Sequence, residues 1–192
     1  MNQFLIEGWQ LGEAVPVLDG NTLLDAWECP SFGRWYEPPI SREYLAKCLR
    51  VNAHHQSCIT KKRQMLECAF IAHPLLSREQ FSAFVLDWLI FADAFLLPVR
   101  NMLGGVLHYE RVLAKWTRRG RENLNQYFYL VPGELEHAFE PGTVFHLRGA
   151  DVNQEIYGVP DYLAALQSAL LNESATLFRR RFYNNGAHAG FI

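Results

Sequence analysis

The segment from Asp151 to Ile192 constrains the fold most, because it contains one long and regularly patterned helix. Pro160 suits a first helical position, since its ring fixes a helical φ and its missing N–H would have had no partner there. From Tyr162 onward the residues are strong helix formers, and leucines recur at helical spacing at positions 163, 166, 170 and 177. Asn184-Asn185-Gly186 is a stop signal. The predicted helix spans roughly 24 residues, or 36 Å at ~1.5 Å per residue, and the residues from His188 onward read as the start of a strand.

Capping residues predict two further helices, which run from Arg42 to about Leu66 and from Ser77 to about Ala92. Ser41 suits the N-cap of the first helix, whose polar middle, residues 52–57, leaves room for a bend. Ser77 and Gln80 have the spacing of a capping box at the start of the second helix. The residues between the two helices, Glu67–His73, read as a short strand.

Four β-prone runs follow, at Ala94–Val99, Val106–Leu113, Tyr127–Val131 and Thr143–Leu147. Gly104-Gly105 separates the first two runs and predicts a hairpin. Clustered rather than alternating elements favour an α+β fold, with antiparallel strands packed against several helices. Residues 1–40 are interrupted by Gly and Pro too often for long elements, apart from a short helix at residues 21–27. We therefore predict an N-terminal arm, 1–40, that docks through Trp35 and Tyr36 onto an α+β domain, 41–192.

The charge is nearly balanced overall, with a formal net charge of −2, so composition does not indicate a nucleic-acid-binding protein. Basic residues nevertheless cluster in three runs, at Lys61-Lys62-Arg63, at Arg118-Arg119 with Arg121, and at Arg179-Arg180-Arg181. Such runs can bind phosphates, but a solvated face or a subunit contact is the more common role. The candidate contacts to other subunits or to DNA are Arg118, Arg119, Arg121, Arg179, Arg180 and Arg181.

Motifs for catalysis, metal binding and cofactor binding are missing from the sequence. The four cysteines, at positions 29, 48, 58 and 68, have no C-x-x-C spacing, and the seven histidines have no HExxH arrangement. No P-loop, GxGxxG or GxSxG is present. Asp151, Glu155 and Asp161 have no second acidic cluster to complete a nuclease site. The sequence therefore predicts a protein that is not an enzyme, without cofactor or metal. The N-terminus has no secretion signal, and no apolar run approaches the ~20 residues that span a bilayer.

Several ordered stretches resemble the portal proteins of tailed bacteriophages with contractile tails, the PBSX-type family. They are Gly33–Ile40 (GRWYEPPI), Leu49–His55 (LRVNAHH), Asn153–Pro160 (NQEIYGVP), Leu163–Asn185 and Gly186–Ile192. The resemblance extends along the whole chain, and the stretch NQEIYGVPDYLAALQSALLNESATLFRR is its most distinctive part.

The resemblance implies a structural role. Portal subunits of this family form a ring, usually of twelve copies, at one capsid vertex, through which terminase pumps double-stranded DNA. The matched region corresponds to the N-terminal, wing-like part of a longer family member, before its stem, clip and crown regions. The expected partners are other portal subunits and, in the intact assembly, the capsid, terminase and double-stranded DNA. The expected location is the virion vertex, or the host cytoplasm for an unassembled chain. The long helix would then be a hinge between wing and channel.

The resemblance leaves three hypotheses open. The chain can be a portal subunit, or a natural or engineered fragment of one, that associates through its wing surface. It can instead be a truncated portal mimic, encoded by a prophage or satellite element, that interferes with phage portal assembly and DNA packaging and so acts in antiphage defence. A DNA-binding module built on the basic runs is the third. Under the first hypothesis, Arg179, Arg180 and Arg181 are subunit contacts rather than phosphate ligands.

Overall fold

The computed structural model describes residues 29–152 and 154–184. Three features predicted from the sequence lie outside these residues: the short helix at 21–27, the helix stop at Asn185-Gly186, and the strand that begins at His188. The described part of the chain contains four α-helices, namely α1 Arg42–Cys48, α2 Ala53–Ala69, α3 Arg78–Phe91 and α4 Leu163–Asn184. It also contains eight strands: β1 Ser31–Phe32, β2 Trp35–Tyr36, β3 Asp93–Arg100, β4 Val106–Val112, β5 Thr117–Gly120, β6 Tyr127–Tyr129, β7 His137–Ala138 and β8 Phe145–Arg148.

The first predicted helix is in fact two helices. The Ser41 cap is confirmed, since the Ser41 hydroxyl accepts a hydrogen bond from the Tyr44 N–H at 3.5 Å. The chain then breaks after Cys48, because Asn52 is extended (φ −145°) and its side chain accepts a hydrogen bond from the His54 N–H at 2.7 Å, which caps α2. An asparagine that satisfies the amides of a new helix competes with continuation of the old one.

The strand predicted at Glu67–His73 is wrong. Helix α2 continues through Ala69, and the residues after it are irregular, apart from one isolated bridge between His73 and Leu76. The aromatic ring of Phe70 stacks on Phe81 of α3 with centroids 4.3 Å apart. The apolar residues of this segment therefore serve packing between helices rather than a sheet.

Helix α3 begins and ends where the sequence predicts. Ser77 caps it by accepting from the Gln80 N–H at 3.2 Å. At its end Ala92 adopts the left-handed conformation (φ 55°), with its N–H bonded to the Trp88 carbonyl, and the chain enters β3 at the next residue. Alanine rarely adopts this conformation, so tertiary packing must hold it there.

Strand β3 is the centre of a three-stranded antiparallel sheet with the order β4-β3-β8. Phe95 of β3 faces Val112 on one side and His146 on the other. The predicted hairpin between β3 and β4 is confirmed, and its turn lies at residues 101–105. Because the side chains of a strand alternate, Ala94 and Leu96 face α3 while Asp93 and Phe95 face the other sheet.

A second sheet has five short antiparallel strands in the order β1-β2-β5-β6-β7. Strand β2 pairs with β5, where Trp35 lies opposite Gly120 and Tyr36 opposite Arg119. The sequence patterns missed β1, β2, β5 and β7, because two to four residues show little alternation, whereas the equally short β6 and β8 overlap longer β-prone runs. The predicted α+β class, with antiparallel strands and a long C-terminal helix, is confirmed.

The hydrophobic core lies between the two sheets and the first turns of α4. Phe95 and Ala114 are fully buried, and the ring of Phe95 meets Tyr127 of the five-stranded sheet edge-on at 5.5 Å. Helix α4 begins at Leu163, three residues after Pro160, and buries Leu163 and Leu166 in this core. Leu177 lies on the same face of the helix but is exposed. Only the first half of α4 therefore belongs to the core.

Candidate functional site

The centre of the fold is a buried ionic cluster of Arg42, Asp93 and His146. These residues come from α1, β3 and β8, and their side chains are 2%, 1% and 6% exposed. The Arg42 guanidinium donates to the Asp93 Oδ2 at 2.9 Å, and the His146 Nε2–H donates to the Asp93 Oδ1 at 2.7 Å. We refer to these three residues as the ionic cluster.

Arg42 is buried at little cost because most of its hydrogen-bonding capacity is used. Its Nη1 donates to the Thr117 carbonyl at 2.9 Å and also to the Ala114 carbonyl. Its guanidinium lies over the Tyr157 ring, 4.8 Å from the centroid. A buried guanidinium without such acceptors would carry a large desolvation penalty. The ionic cluster therefore fixes α1 against both ends of the turn that leads into β5.

The segment Gln154–Gly158, in the stretch NQEIYGVP that resembles the portal family, closes over this cluster. The Gly158 N–H donates to the Asp93 Oδ1 at 3.0 Å. The Tyr157 hydroxyl donates to the Tyr36 carbonyl at 2.5 Å and accepts from the Arg119 N–H at 2.8 Å. Burial raises the pKa of Tyr157 well above its usual range, so the hydroxyl stays neutral. The Tyr157 hydroxyl thus joins β2 to the segment that precedes α4.

The ionic cluster is a structural core and not an exposed reaction centre. An acid–base group must come within hydrogen-bonding distance of its substrate, and His146 is enclosed by Phe95, which stacks on its ring at 4.3 Å, and by Tyr127. The described residues contain no group of three or more His, Cys, Asp or Glu side chains arranged to hold a metal ion. No helix among them is long and apolar enough to cross a bilayer.

Acidification should weaken the fold through His146. Burial lowers the pKa of His146 below its ordinary value of 6.5, so the folded state keeps this ring neutral while the unfolded chain takes up a proton. The neutral His146 ring therefore contributes fully to stability above pH 6.5. This contribution is lost as the pH falls from 6.5 toward the lowered pKa that His146 has in the folded state. We expect the difference in the free energy of unfolding between the wild type and His146→Asn to shrink between pH 7.5 and 5.5, as measured by urea denaturation.

Asp87 provides a control of opposite sign. Burial raises the pKa of Asp87 from 3.8 to about 6, although its Oδ2 accepts from the Ala114 N–H at 3.0 Å and lies 3.6 Å from Arg111. As the pH falls, Asp87 takes up a proton in the folded state at a higher pH than in the unfolded chain. Asp87 therefore stabilises the fold increasingly between pH 7.5 and 5.5. An Asp87→Asn variant should remove that gain. If both variants changed with pH in the same direction, the assignment would be wrong.

The structure places the first candidate contact run, Arg118, Arg119 and Arg121, largely inside the fold. Arg118 donates from Nε to Glu37 at 2.6 Å, and Arg119 donates to the carbonyls of Leu124 and Ile156 at 2.8 and 3.2 Å. Arg121 is exposed, and its N–H bonds the Arg34 carbonyl. Successive residues of a strand point to opposite faces, so this run is not one continuous basic surface.

The second candidate run, Arg179, Arg180 and Arg181, is exposed in the last turns of α4. Helix α4 also carries four large apolar side chains in water, since Leu171 is 72% exposed, Phe178 60%, Leu177 45% and Phe182 41%. The surface around these three arginines is therefore partly basic and partly apolar.

Another exposed apolar surface, which the sequence patterns did not reveal, lies at the tip of the β3–β4 hairpin. Met102 and Leu103 are almost completely exposed there. Asn101 orders the turn, because its Oδ1 accepts from the N–H groups of Leu103 at 3.0 Å and Gly105 at 2.8 Å. Large apolar side chains held in water by a well-bonded turn are typical of interaction sites.

Comparison with known proteins finds relatives among phage proteins. No protein-family model matches the chain. It is 54% identical over 187 residues, or 97% of its length, to the "Probable portal protein" of Escherichia phage P2. The chain is homologous to phage portal proteins. It is also 34% identical over 163 residues, 82% of its length, to the "Probable portal protein" of Haemophilus phage HP1 (strain HP1c1).

Solved structures share the fold of this chain. A chain in the "Virion of native gene transfer agent (GTA) particle" matches 90% of this chain with a TM-score of 0.65 and 14% identity. A chain in the "Neck of native GTA particle computed with C12 symmetry" matches 77% of this chain with a TM-score of 0.60 and 14% identity. The matched parts are 52% and 46% of those chains. The chain likewise spans about half the length of the curated relatives that it matches, 54% of the P2 portal protein and 47% of the HP1 portal protein.

Proposed function

We propose that this chain acts as a structural, non-enzymatic subunit of a phage portal ring of the PBSX type, and that its described part is the wing-like region. The observation that carries the proposal is the 54% identity to the P2 portal protein over 97% of the chain. The proposed location is the capsid vertex.

The exposed surfaces support an assembly role. Phe178 in α4 and the hairpin tip at Met102 and Leu103 leave large apolar groups in water, and such groups are normally covered in a protein–protein contact. We propose other portal copies as the first partners, and the capsid, terminase and double-stranded DNA as partners in the intact assembly. In this proposal the basic end of α4 and Arg121 lie at subunit contacts, while Arg118 and Arg119 maintain the fold.

The division of the chain is part of the same proposal. The arm, residues 1–40, joins the wing-like domain, 41–192, through strands β1 and β2. Strand β2 contributes Trp35, whose ring packs 5.6 Å from Phe128, and Tyr36, whose carbonyl binds the Tyr157 hydroxyl. Residues 31–36 of the arm are thereby part of the five-stranded sheet.

Co-assembly with the full-length P2 portal protein tests the proposal. The purified chain should form rings by itself or enter mixed rings with the P2 protein, seen by negative-stain electron microscopy and by a mass shift in mass photometry. A P2 protein disassembled and reassembled without the chain is the control. A chain that stays monomeric at high concentration and never associates with the P2 protein would contradict the proposal.

A further inference from the structure

Helix α4 carries an exposed apolar stripe. Leu171, Phe178 and Phe182 follow one another at spacings of seven and four residues, which places them within about 40° of each other around the helix. Leu163 and Leu166, on a different face, anchor the first turns in the core. We call the three exposed residues the helix stripe.

The charges around the helix stripe are arranged unevenly. At 100° per residue, Arg179 and Arg181 lie about 80° from the centre of the stripe, one on each flank, whereas Arg180 lies about 180° away, on the opposite side. All three side chains are exposed. A partner that covers the stripe would therefore meet the charge of Arg179 and not that of Arg180.

A groove between the two sheets offers apolar side chains that such a stripe can contact. Its cavity of about 200 Å³ is lined by the apolar side chains of Leu97, Val112, Leu113, Tyr129 and Phe139. Tyr129 and Phe139 meet at 6.5 Å on the side of the five-stranded sheet, while the other three belong to β3, β4 and the residue after β4. We call this feature the sheet groove.

The rim of the sheet groove is acidic. Glu110 lines it and is exposed, and the exposed Glu134 lies close enough to add to the rise in the pKa of Tyr129, which burial mainly causes. Arg111 also lines the groove, but its guanidinium lies 3.6 Å from the buried carboxylate of Asp87, so its charge is already matched. The open charge at the rim is thus negative.

We infer that the helix stripe of one copy docks in the sheet groove of a second copy, with Phe178 filling the groove and Arg179 beside Glu110. An amphipathic helix laid into an apolar groove is a common mode of recognition, and opposite charges at the edge of such a contact select the partner and its register. The inference rests on the proposed function, because it names the contact through which the copies associate.

The geometry of this contact allows it to repeat. The helix stripe and the sheet groove share no residue, so each copy can offer its stripe to one neighbour and its groove to another. Contacts of this head-to-tail kind generate closed rings when the rotation between copies closes. A contact that used one patch on both copies would stop at a dimer.

Charge reversal at matched positions of α4 tests the inference. In the full 192-residue chain, Arg179→Glu should weaken self-association about tenfold or more at low salt, because it places two carboxylates together. Arg180→Glu makes the same change in charge on the opposite side of the helix and should alter association less than about threefold. Sedimentation equilibrium measures both, and circular dichroism confirms that both variants are folded.

A trans-complementation experiment identifies the partner residue. Arg179→Glu copies and Glu110→Arg copies should each associate poorly alone but associate when mixed, because the stripe of each kind then meets the groove of the other. Phe178→Ala should weaken association by about thirtyfold or more, whatever the salt concentration.

The outcomes separate this inference from the proposed function. If the wild type associates but Arg179→Glu and Arg180→Glu behave alike, or if the mixture shows no rescue, the inference is wrong and the portal proposal stands. If the wild type neither self-associates nor binds the P2 portal protein, both are wrong.

Discussion

Replacing Asp93 with asparagine is expected to lower the free energy of unfolding by about 3–5 kcal/mol. The two side chains have the same shape, so the substitution leaves no cavity. It leaves the guanidinium of Arg42, only 2% exposed, without its anionic partner. It also replaces one acceptor oxygen by an NH₂ group where His146 and the Gly158 N–H both donate. Urea denaturation followed by far-UV circular dichroism measures the loss.

The matched control is Glu136→Gln, which also removes one carboxylate from an ion pair with arginine. Glu136 contacts Arg34 at 2.5 Å, but the side chain of Arg34 is 63% exposed, and water replaces much of the lost interaction. The expected change is below about 1 kcal/mol. Equal losses in the two variants would show that burial does not set the contribution of the Asp93 carboxylate.

Gly158→Ala is expected to destabilise the fold by about 3 kcal/mol or more, for a steric reason. A Cβ atom at this position would overlap the carbonyl oxygen of Ala92 and lie 2.8 Å from the Ala92 carbonyl carbon. These are backbone atoms, and Ala92 is itself held in the left-handed conformation between α3 and β3. Moving the chain away would also lengthen the hydrogen bond from the Gly158 N–H to Asp93.

A suitable control is Gly133→Ala. This glycine has φ +86° but no heavy atom within 4 Å of an added Cβ, so the variant carries only the backbone cost of a left-handed alanine, about 1–2 kcal/mol. Comparing thermal midpoints of the two variants separates close packing from conformational freedom. A Gly158→Ala protein as stable as the Gly133→Ala protein would contradict the close packing of residue 158 against Ala92.

Local signals predicted the local parts of this fold. Ser41 and Ser77 mark helix starts, and Gly104-Gly105 marks a hairpin, because caps and turns depend on residues a few positions apart. Gly158 is a different case, because the structure shows that a glycine is required there by the approach of Ala92. That requirement comes from a residue 66 positions away, which no local pattern contains.

The ionic cluster could not be predicted for the same reason. Asp93 is 51 residues from Arg42 and 53 from His146 in sequence, and none of the three stands in a recognisable motif. The arginine runs show the opposite problem. Arg118 and Arg119 look like Arg179 and Arg180 in the sequence, yet the first two bind acceptors within the fold. A run of charges does not show which way each side chain points.

The turn at the tip of the β3–β4 hairpin has a consequence for the entropy of association. Asn101 already holds the backbone of Leu103 and Gly105, and Arg100 donates to the Gly104 carbonyl at 2.9 Å. Fixing the backbone of one residue in a flexible loop costs about 1–2 kcal/mol of conformational entropy. When a partner binds a flexible loop, the binding free energy must offset that cost. Here folding has offset it beforehand. Covering Met102 and Leu103 can then favour association with little loss of chain freedom.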